Sequence, residues 1–319
     1  MKAYYCDSFV LPLPAGHRFP MDKYRRLRER LEADVAMLEL ELLVPPAAST
    51  EDLVRVHCPA YVERVRLGTM SEREQRKLGF PWSVEMAERT RRVSGATCAA
   101  LVAALDDGIA VNLAGGTHHA DYDHGAGYCV FNDSVVGARH LQARGLAQRI
   151  LVIDLDVHHG NGTAALTARD PSIWTFSMHA ARNYPAHKPP SDLDIALADG
   201  VGDDEYLQRL ADALPAVLSA ARADAAIYLA GADPYVGDQL GFLALSHAGL
   251  AQRDRLVLES LDRAGLPVAI TMGGGYAAAV EDIVAIHYRT VATAAALCRR
   301  RRQSAVPRPP VFTCAQLLE

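Results

Sequence analysis

The hydrophobic residues of this chain gather into five compact runs: "IAVNLAGG" (109–116), "RILVIDLD" (149–156), "SIWTFSM" (172–178), "AAIYLAG" (225–231) and "PVAITMGGG" (267–275). Each is too short for a helix and too continuously apolar for a strand with one wet face, so each reads as a strand covered on both sides. Stretches with helical spacing separate most of them, near 132–144, 203–222 and 246–264. In the last of these, Leu250, Val257 and Leu261 share a face, Ser246 is placed to cap the start and Gly265 to stop the end. The alternation predicts an α/β fold with a parallel central sheet and helices on both faces. Upstream, 2–6 reads as a short strand, 21–43 as one charged amphipathic helix stopped by Pro45-Pro46, and 50–68 as helical in pieces. Ser83 with Glu85 opens a helix that runs to Leu105 and ends at Asp107-Gly108. A final helix covers 279–301, before the Pro-rich "VPRPP". No repeat, linker or composition shift divides the chain, so residues 1–319 read as a single domain.

Composition narrows the function classes. Half the residues are hydrophobic and 22% are charged, an ordinary globular balance, and a net charge of −5 gives no reason to expect a nucleic-acid or membrane-surface binder. No apolar run reaches the roughly 18 residues a membrane span needs, and "MKAYYCDSFV" lacks a signal-peptide core. The six cysteines contain no Cys-x-x-Cys pair, which argues against a thiolate zinc site and suits a reducing cytoplasm. Arg299–Arg302 read as the solvated C-terminus of the last helix, where cations oppose the dipole.

The chemistry sits where strands end. Four runs finish in polar or glycine-rich text: "AGGTHHA" (114–120), "DLDVHHGNG" (154–162), "AGADP" (230–234) and "MGGGY" (272–276). Open α/β sheets bind ligands beyond the carboxyl ends of their strands, so four such endings on one sheet describe a site. Along an extended segment, Asp154, Asp156 and His158 fall on one face and His159 on the other. Asp156 and His158, with Asp233 from another strand end, make a two-carboxylate, one-imidazole set that leaves positions open on a divalent metal. His118 and His119 alone are an ordinary loop pair; beside a metal they supply a base for an activated water and an acid for a leaving amine. Tyr276, on an expected flexible glycine hairpin, can donate to the oxyanion of an amide under attack. "GGG" lacks both the Lys-Ser/Thr of a P-loop and the spacing of a dinucleotide loop.

Taken together, "GTHHA…GYCVFND", "DLDVHHGNGT", "GADP" and "GGGY" resemble, in order and spacing, the histone deacetylase superfamily and its bacterial amidohydrolase members. "FPMDKYRRL" and "SDLDIALADGVGDDEYL" extend the resemblance over nearly the whole chain; "NYP" (183–185), "GDQLGFLALS" (237–246) and the compact length look most like class IV and its bacterial relatives. The resemblance implies the arginase/deacetylase three-layer fold. It also implies zinc-dependent hydrolysis of N-acyl-lysine, with ferrous iron as an alternative metal, held by Asp156, His158 and Asp233. By the same resemblance Asp154 orients His118 and, with Asp156, His158, Ser177 and Met178, holds a potassium or sodium ion. Gly127, Tyr128, Tyr184 and Gly274 match the substrate channel, with Tyr184 facing Tyr128 across the acyl-lysine stem. Asn161 stands where class I enzymes carry a second aspartate, so His119 is expected to be less easily protonated and to act as the base, with His118 as the acid. Longer acyl groups are expected to be tolerated, with Ala114, Gly115, Gly116, Gly125 and Ala126 able to leave room.

Three other readings compete. Arginases share the fold but need a further carboxylate where this chain has Gly160, so the site reads as a one-metal centre. A catalytically dead acyl-lysine binder would lack a ligand, the tyrosine or a histidine, and none is missing. An acetylpolyamine or other small acylated amine remains an alternative substrate, and Asp121, Asp123 and Glu85 are the residues that would supply an acidic rim. Oligomeric state is not legible.

Overall fold

A computed structural model of the chain describes residues 1–303; "VPRPP" and Cys314 lie outside the described residues. In chain order the elements are β1 (Lys2–Tyr4), α1 (Asp22–Ala33), α2 (Val35–Leu38), β2 (Glu41–Leu43), α3 (Thr50–Val54), α4 (Pro59–Leu67), α5 (Glu72–Leu78), α6 (Val84–Asp107), β3 (Ile109–Asn112) and α7 (Asp133–Ala143). They continue as β4 (Ile150–Asp154), α8 (Asn161–Thr167), β5 (Ile173–Ala180), β6 (Leu193–Leu197), α9 (Asp203–Ala221), β7 (Ala225–Leu229), α10 (His247–Arg263), β8 (Val268–Thr271) and α11 (Val280–Gln303). Eight strands form one sheet in the order β2-β1-β3-β8-β7-β4-β5-β6, every neighbouring pair parallel.

Alternation along each strand feeds two cores. Leu151, Ile153 and Tyr228 pack under α9, α10 and α11, whereas Ile150, Val152 and Ile227 pack under α6 and α7. That is why the central strands β3, β8, β7 and β4 are buried at every position. The expected caps are present: Ser83 accepts from Met86 N–H, Ser246 from Gly249 N–H, and Gly108 ends α6. The last-helix arginines do more than oppose a dipole, since Arg299 donates to Met37 O, Arg301 pairs with Asp262 and Arg302 with Glu39.

The chain departs from the sequence reading at four elements. Residues 21–43 are not one helix: Glu39 takes a left-handed backbone that ends α2, and 41–43 pair with β1 as an edge strand. A local pattern compatible with a helix yields there to strand pairing. β6 alternates half-buried and exposed positions, as an edge strand does, and so lacks a continuous apolar signature. α8 is a helix of seven residues that buries Gly162, Thr163, Ala164 and Thr167, too short to show a period in the sequence. α5 carries a complete capping box, Ser71 with Glu74, a signal present in the sequence but not read.

Candidate active site

Because β3, β8, β7 and β4 are adjacent and parallel, the segments after them meet above one edge of the sheet. There Asp156, His158 and Asp233 bring their donor atoms within 4.8 Å of one another. His158 Nδ1 lies 2.9 Å from Asp156 Oδ1 and 3.3 Å from Asp233 Oδ2. The remaining oxygens are used to aim the carboxylates: Asp233 Oδ1 accepts from Val157 N–H at 2.9 Å and Asp156 Oδ2 from Gly274 N–H at 2.7 Å. Asp233 Oδ2 is buried without a hydrogen-bond partner. Burial and the nearby Asp156 carboxylate push Asp233 up to about 7, while the same two carboxylates outweigh burial and push His158 up to about 10. Two desolvated carboxylates and an orphaned oxygen are a site that a divalent cation would relieve, so the residues fit a metal. The glycines keep it open: a Cβ on Gly274 would sit 1.8 Å from Asp233 Oδ2, and one on Gly231 would sit 2.8 Å from both carboxylates. The 272–276 segment is therefore a closely packed cradle rather than the flexible hairpin expected.

His118 and His119 stand beside these ligands with their Nε2 atoms 3.2 Å apart. Nδ1 of His118 lies 2.6 Å from Asp154 Oδ2, and Nδ1 of His119 lies 2.7 Å from Asn161 Oδ1. Burial lowers the basicity of both. For His118 the Asp154 and Asp156 carboxylates outweigh burial and lift it to about 9; His119, with only a neutral amide partner, is held well below the usual histidine range by burial and by the charges of His118 and His158. Tyr276 borders the same space, and burial together with Asp233 and Asp156 raises its hydroxyl well above 10, so it keeps its proton. Asp154 pairs in register with Ser177 on β5, and Met178 follows. The Ser177 hydroxyl lies 3.0 Å from His179 Nδ1.

Asp156, His158, Asp233, His118, His119 and Tyr276 line a cavity of about 520 Å³. Gly127, Tyr128, Tyr184 and Gly274 all border it. Tyr184 meets His119 edge-on at 4.8 Å, and Tyr128 packs on Phe19, Phe80 and Tyr276. Asp121, Asp123 and Glu85 are not among the lining residues; Arg76, Lys77 and Arg182 are. Nor do Gly125 and Ala126 leave room, since they too stand away from the cavity. Gly115 and Gly116 border it but serve backbone geometry, with φ of +77° and neighbours within 2.6 Å of a would-be Cβ.

The histone deacetylase domain matches residues 17–291. The chain belongs to the histone deacetylase family. A histone deacetylase-like amidohydrolase of Pseudomonas aeruginosa is 30% identical, over 84% of this chain and 74% of its own length. Histone deacetylase 2 of Arabidopsis thaliana is 28% identical over 88% and 74%, and an uncharacterized protein of Picosynechococcus is 45% identical over 89% and 94%. The crystal structure of the HDA15 HD domain superposes with a TM-score of 0.76 at 21% identity, covering 91% of this chain and 90% of that one, which shows the same fold. This histone deacetylase family member is thus a hydrolase.

Several positioning residues of this deacetylase-family site went unread in the sequence. Asp133 collects the N–H groups of Gly116 and Thr117 and the Thr97 hydroxyl, fixing the turn before His118. Asp238 accepts Tyr276 N–H at 2.6 Å and the N–H groups of Leu240 and Gly241. Lys23 donates to Gly275 O at 3.2 Å, with its ammonium 5.3 Å from the Tyr276 ring centre. Arg253 and Asp254 form a fully buried pair on the inner face of α10. Their position between Leu250 and Val257 at helical spacing was the available signal, as charges on an apolar face.

Proposed function

We propose that this chain, from residue 1 to 319, acts as one catalytic domain that hydrolyses the amide of N-acyl-lysine in a protein or peptide. The observation that carries this reading is the pair of adjacent histidines with unlike partners, Asp154 and Asn161, beside the Asp156–His158–Asp233 set. A bound zinc ion, or ferrous iron, would supply Lewis acidity toward water and the amide carbonyl. His119, neutral and held through Nδ1, takes a proton on Nε2 from the attacking water. His118, protonated and held by Asp154, gives a proton to the lysine nitrogen as the carbon–nitrogen bond breaks, leaving a carboxylic acid and a free amine. Tyr276 donates to the carbonyl oxygen as it gains charge. Tyr128 and Tyr184 flank the lysine stem between Gly127 and Gly274. Asp154, Asp156 and His158, with Ser177 and Met178, would hold a potassium or sodium ion.

The rim favours acyl-lysine over an acylated polyamine. Arg76, Lys77 and Arg182 border the mouth, and among the described lining residues the carboxylates are Asp156 and Asp233, both deep in the site. Arg76 pairs with Glu72 and Arg182 with Asp199, so the like charge a polycation would meet there is partly compensated. Assay of fluorogenic acyl-lysine peptides and acetylpolyamines with defined metals tests this. Acyl-lysine turnover that needs added metal is the expected result; turnover of acetylpolyamines alone would transfer the assignment to small amines.

A further inference from the structure

We infer that the chain carries a second divalent-metal site, made by His159, His179 and Asp194, separate from the catalytic set. The three side chains come from different elements. His159 follows His158 but points to the other side of the segment, His179 lies on β5 and Asp194 on the edge strand β6. Register places them together: Asp194 pairs with Ser177, and His179 is two residues further along the same face of β5. Their donor atoms all lie within 4.8 Å of one another.

The geometry is that of a site and not of an ion pair. His159 is fully buried, yet among the described residues neither ring nitrogen has an aligned hydrogen-bond partner. Its Nε2 is 3.2 Å from Asp194 Oδ1, close enough for charge contact but without the alignment of a hydrogen bond. The two imidazoles meet edge-on at 4.7 Å, so they do not stack as a packed pair. A buried imidazole without aligned hydrogen bonds is a ligand that a coordinated cation would satisfy. The groups around it hold the ligands in place. His179 Nδ1 is 3.0 Å from Ser177 Oγ; donating its proton there leaves the Nε2 lone pair free. Asp194 Oδ2 accepts Ser191 N–H at 2.8 Å, leaving Oδ1 toward His159. The nearby Lys188 ammonium is turned onto the carbonyls of Asn183 and Pro185.

Two imidazoles and one carboxylate suit zinc-class ions, cobalt(II) and nickel(II) included, better than magnesium or calcium. Asp194, with its side chain 28% exposed, gives solvent a way in and an open coordination position. Occupied, the site ties β6, the edge strand paired with β5, to the segment that bears the catalytic ligand His158.

Cobalt(II) titration of the metal-free full chain, followed by its visible absorption and by metal analysis after dialysis, tests this. Wild type is expected to bind two equivalents, Asp194→Asn one, and Asp233→Asn one. Asn keeps the acceptor for Ser191 N–H, so the fold has no reason to change. The inference is overturned if wild type binds one equivalent that Asp233→Asn abolishes, or if Asp194→Asn still binds two. Should Asp194→Asn be insoluble, a lack of any bound cobalt in Asp233→Asn overturns it equally. Loss of all cobalt in Asp194→Asn, with none lost in Asp233→Asn, would instead sink the catalytic metal assignment.

Discussion

Asn161→Asp separates the two histidines. Asn161 Oδ1 lies 2.7 Å from His119 Nδ1, and aspartate there adds one negative charge without changing the shape of the contact. The structure contains its own control. His118, equally buried but facing Asp154, is lifted to about 9, whereas His119 is held well below the usual range. At an effective dielectric of about 20, a charge about 4 Å from the ring contributes roughly 4 kcal/mol, a ceiling of about 3 pH units. The new carboxylate loses hydration of its own, so a rise of about 1–2 units is expected for His119. A base must be unprotonated to work. Raising its pKa therefore moves the acidic limb of the pH–rate profile upward by that amount. The measurement is kcat/KM against pH on an acyl-lysine peptide, for both proteins loaded with the same metal. A folded, active Asn161→Asp with an unmoved acidic limb would refute His119 as the base.

Tyr276→Phe retains the ring packing on Tyr128 and removes only the donor, so kcat is expected to fall roughly 10²–10³-fold with the melting temperature unchanged; a change within about threefold would remove Tyr276 from the reaction. The cavity lining includes the buried Leu11, Met86, Val93 and Val130, and at about 0.8 kcal/mol per buried methylene KM is expected to fall from acetyl to octanoyl; steady loss of activity with length would show the pocket closed. His57, fully buried, is held at about 4 by burial despite its contact with Asp121 O. The folded state keeps it neutral while the unfolded chain protonates it near 6.5, so its contribution is present above that pH and lost as pH falls toward 4. Of the stability change measured by urea unfolding from about pH 7 to pH 5, His57 should account for a loss of about 2 kcal/mol, so His57→Gln should reduce that slope by about this amount; an equal slope in both would discount His57.

The strand ends were legible because parallel strands buried on two faces leave no other use for "DLDVHH" or "AGADP". Alternation alone separated His158 from His159, and both went where it sent them. Segments whose local pattern suits two states were not legible. "EL" at 41–42 becomes strand only because β1 has an open edge, and β6 hides its strand character because one side faces water. The glycines misled in the same way. Their sequence signals freedom, but at Gly274 and Gly116 it is the approach of Asp233 and of Gly273 that excludes a side chain.

The Arg253–Asp254 pair shows what a pattern of strand ends leaves out. Arg253 Nη1 donates to Gly231 O at 2.6 Å and to Leu155 O at 3.3 Å. Gly231 precedes Asp233 by two residues and Leu155 adjoins Asp156, so one guanidinium holds both carboxylate-bearing segments at once. Asp254 in turn is fixed by Arg253, by the Tyr228 hydroxyl at 2.6 Å and by the Thr290 hydroxyl at 2.6 Å, which draws β7 and α11 into the same network. A buried ion pair is weak support for stability, because desolvation offsets its attraction. It is strong support for position, because each hydrogen bond has one geometry and the chain is packed around it. Two carboxylates that repel each other need such bracing before a cation arrives. The helix that supplies it is remote in sequence from both, and only charges lying on its apolar face give it away.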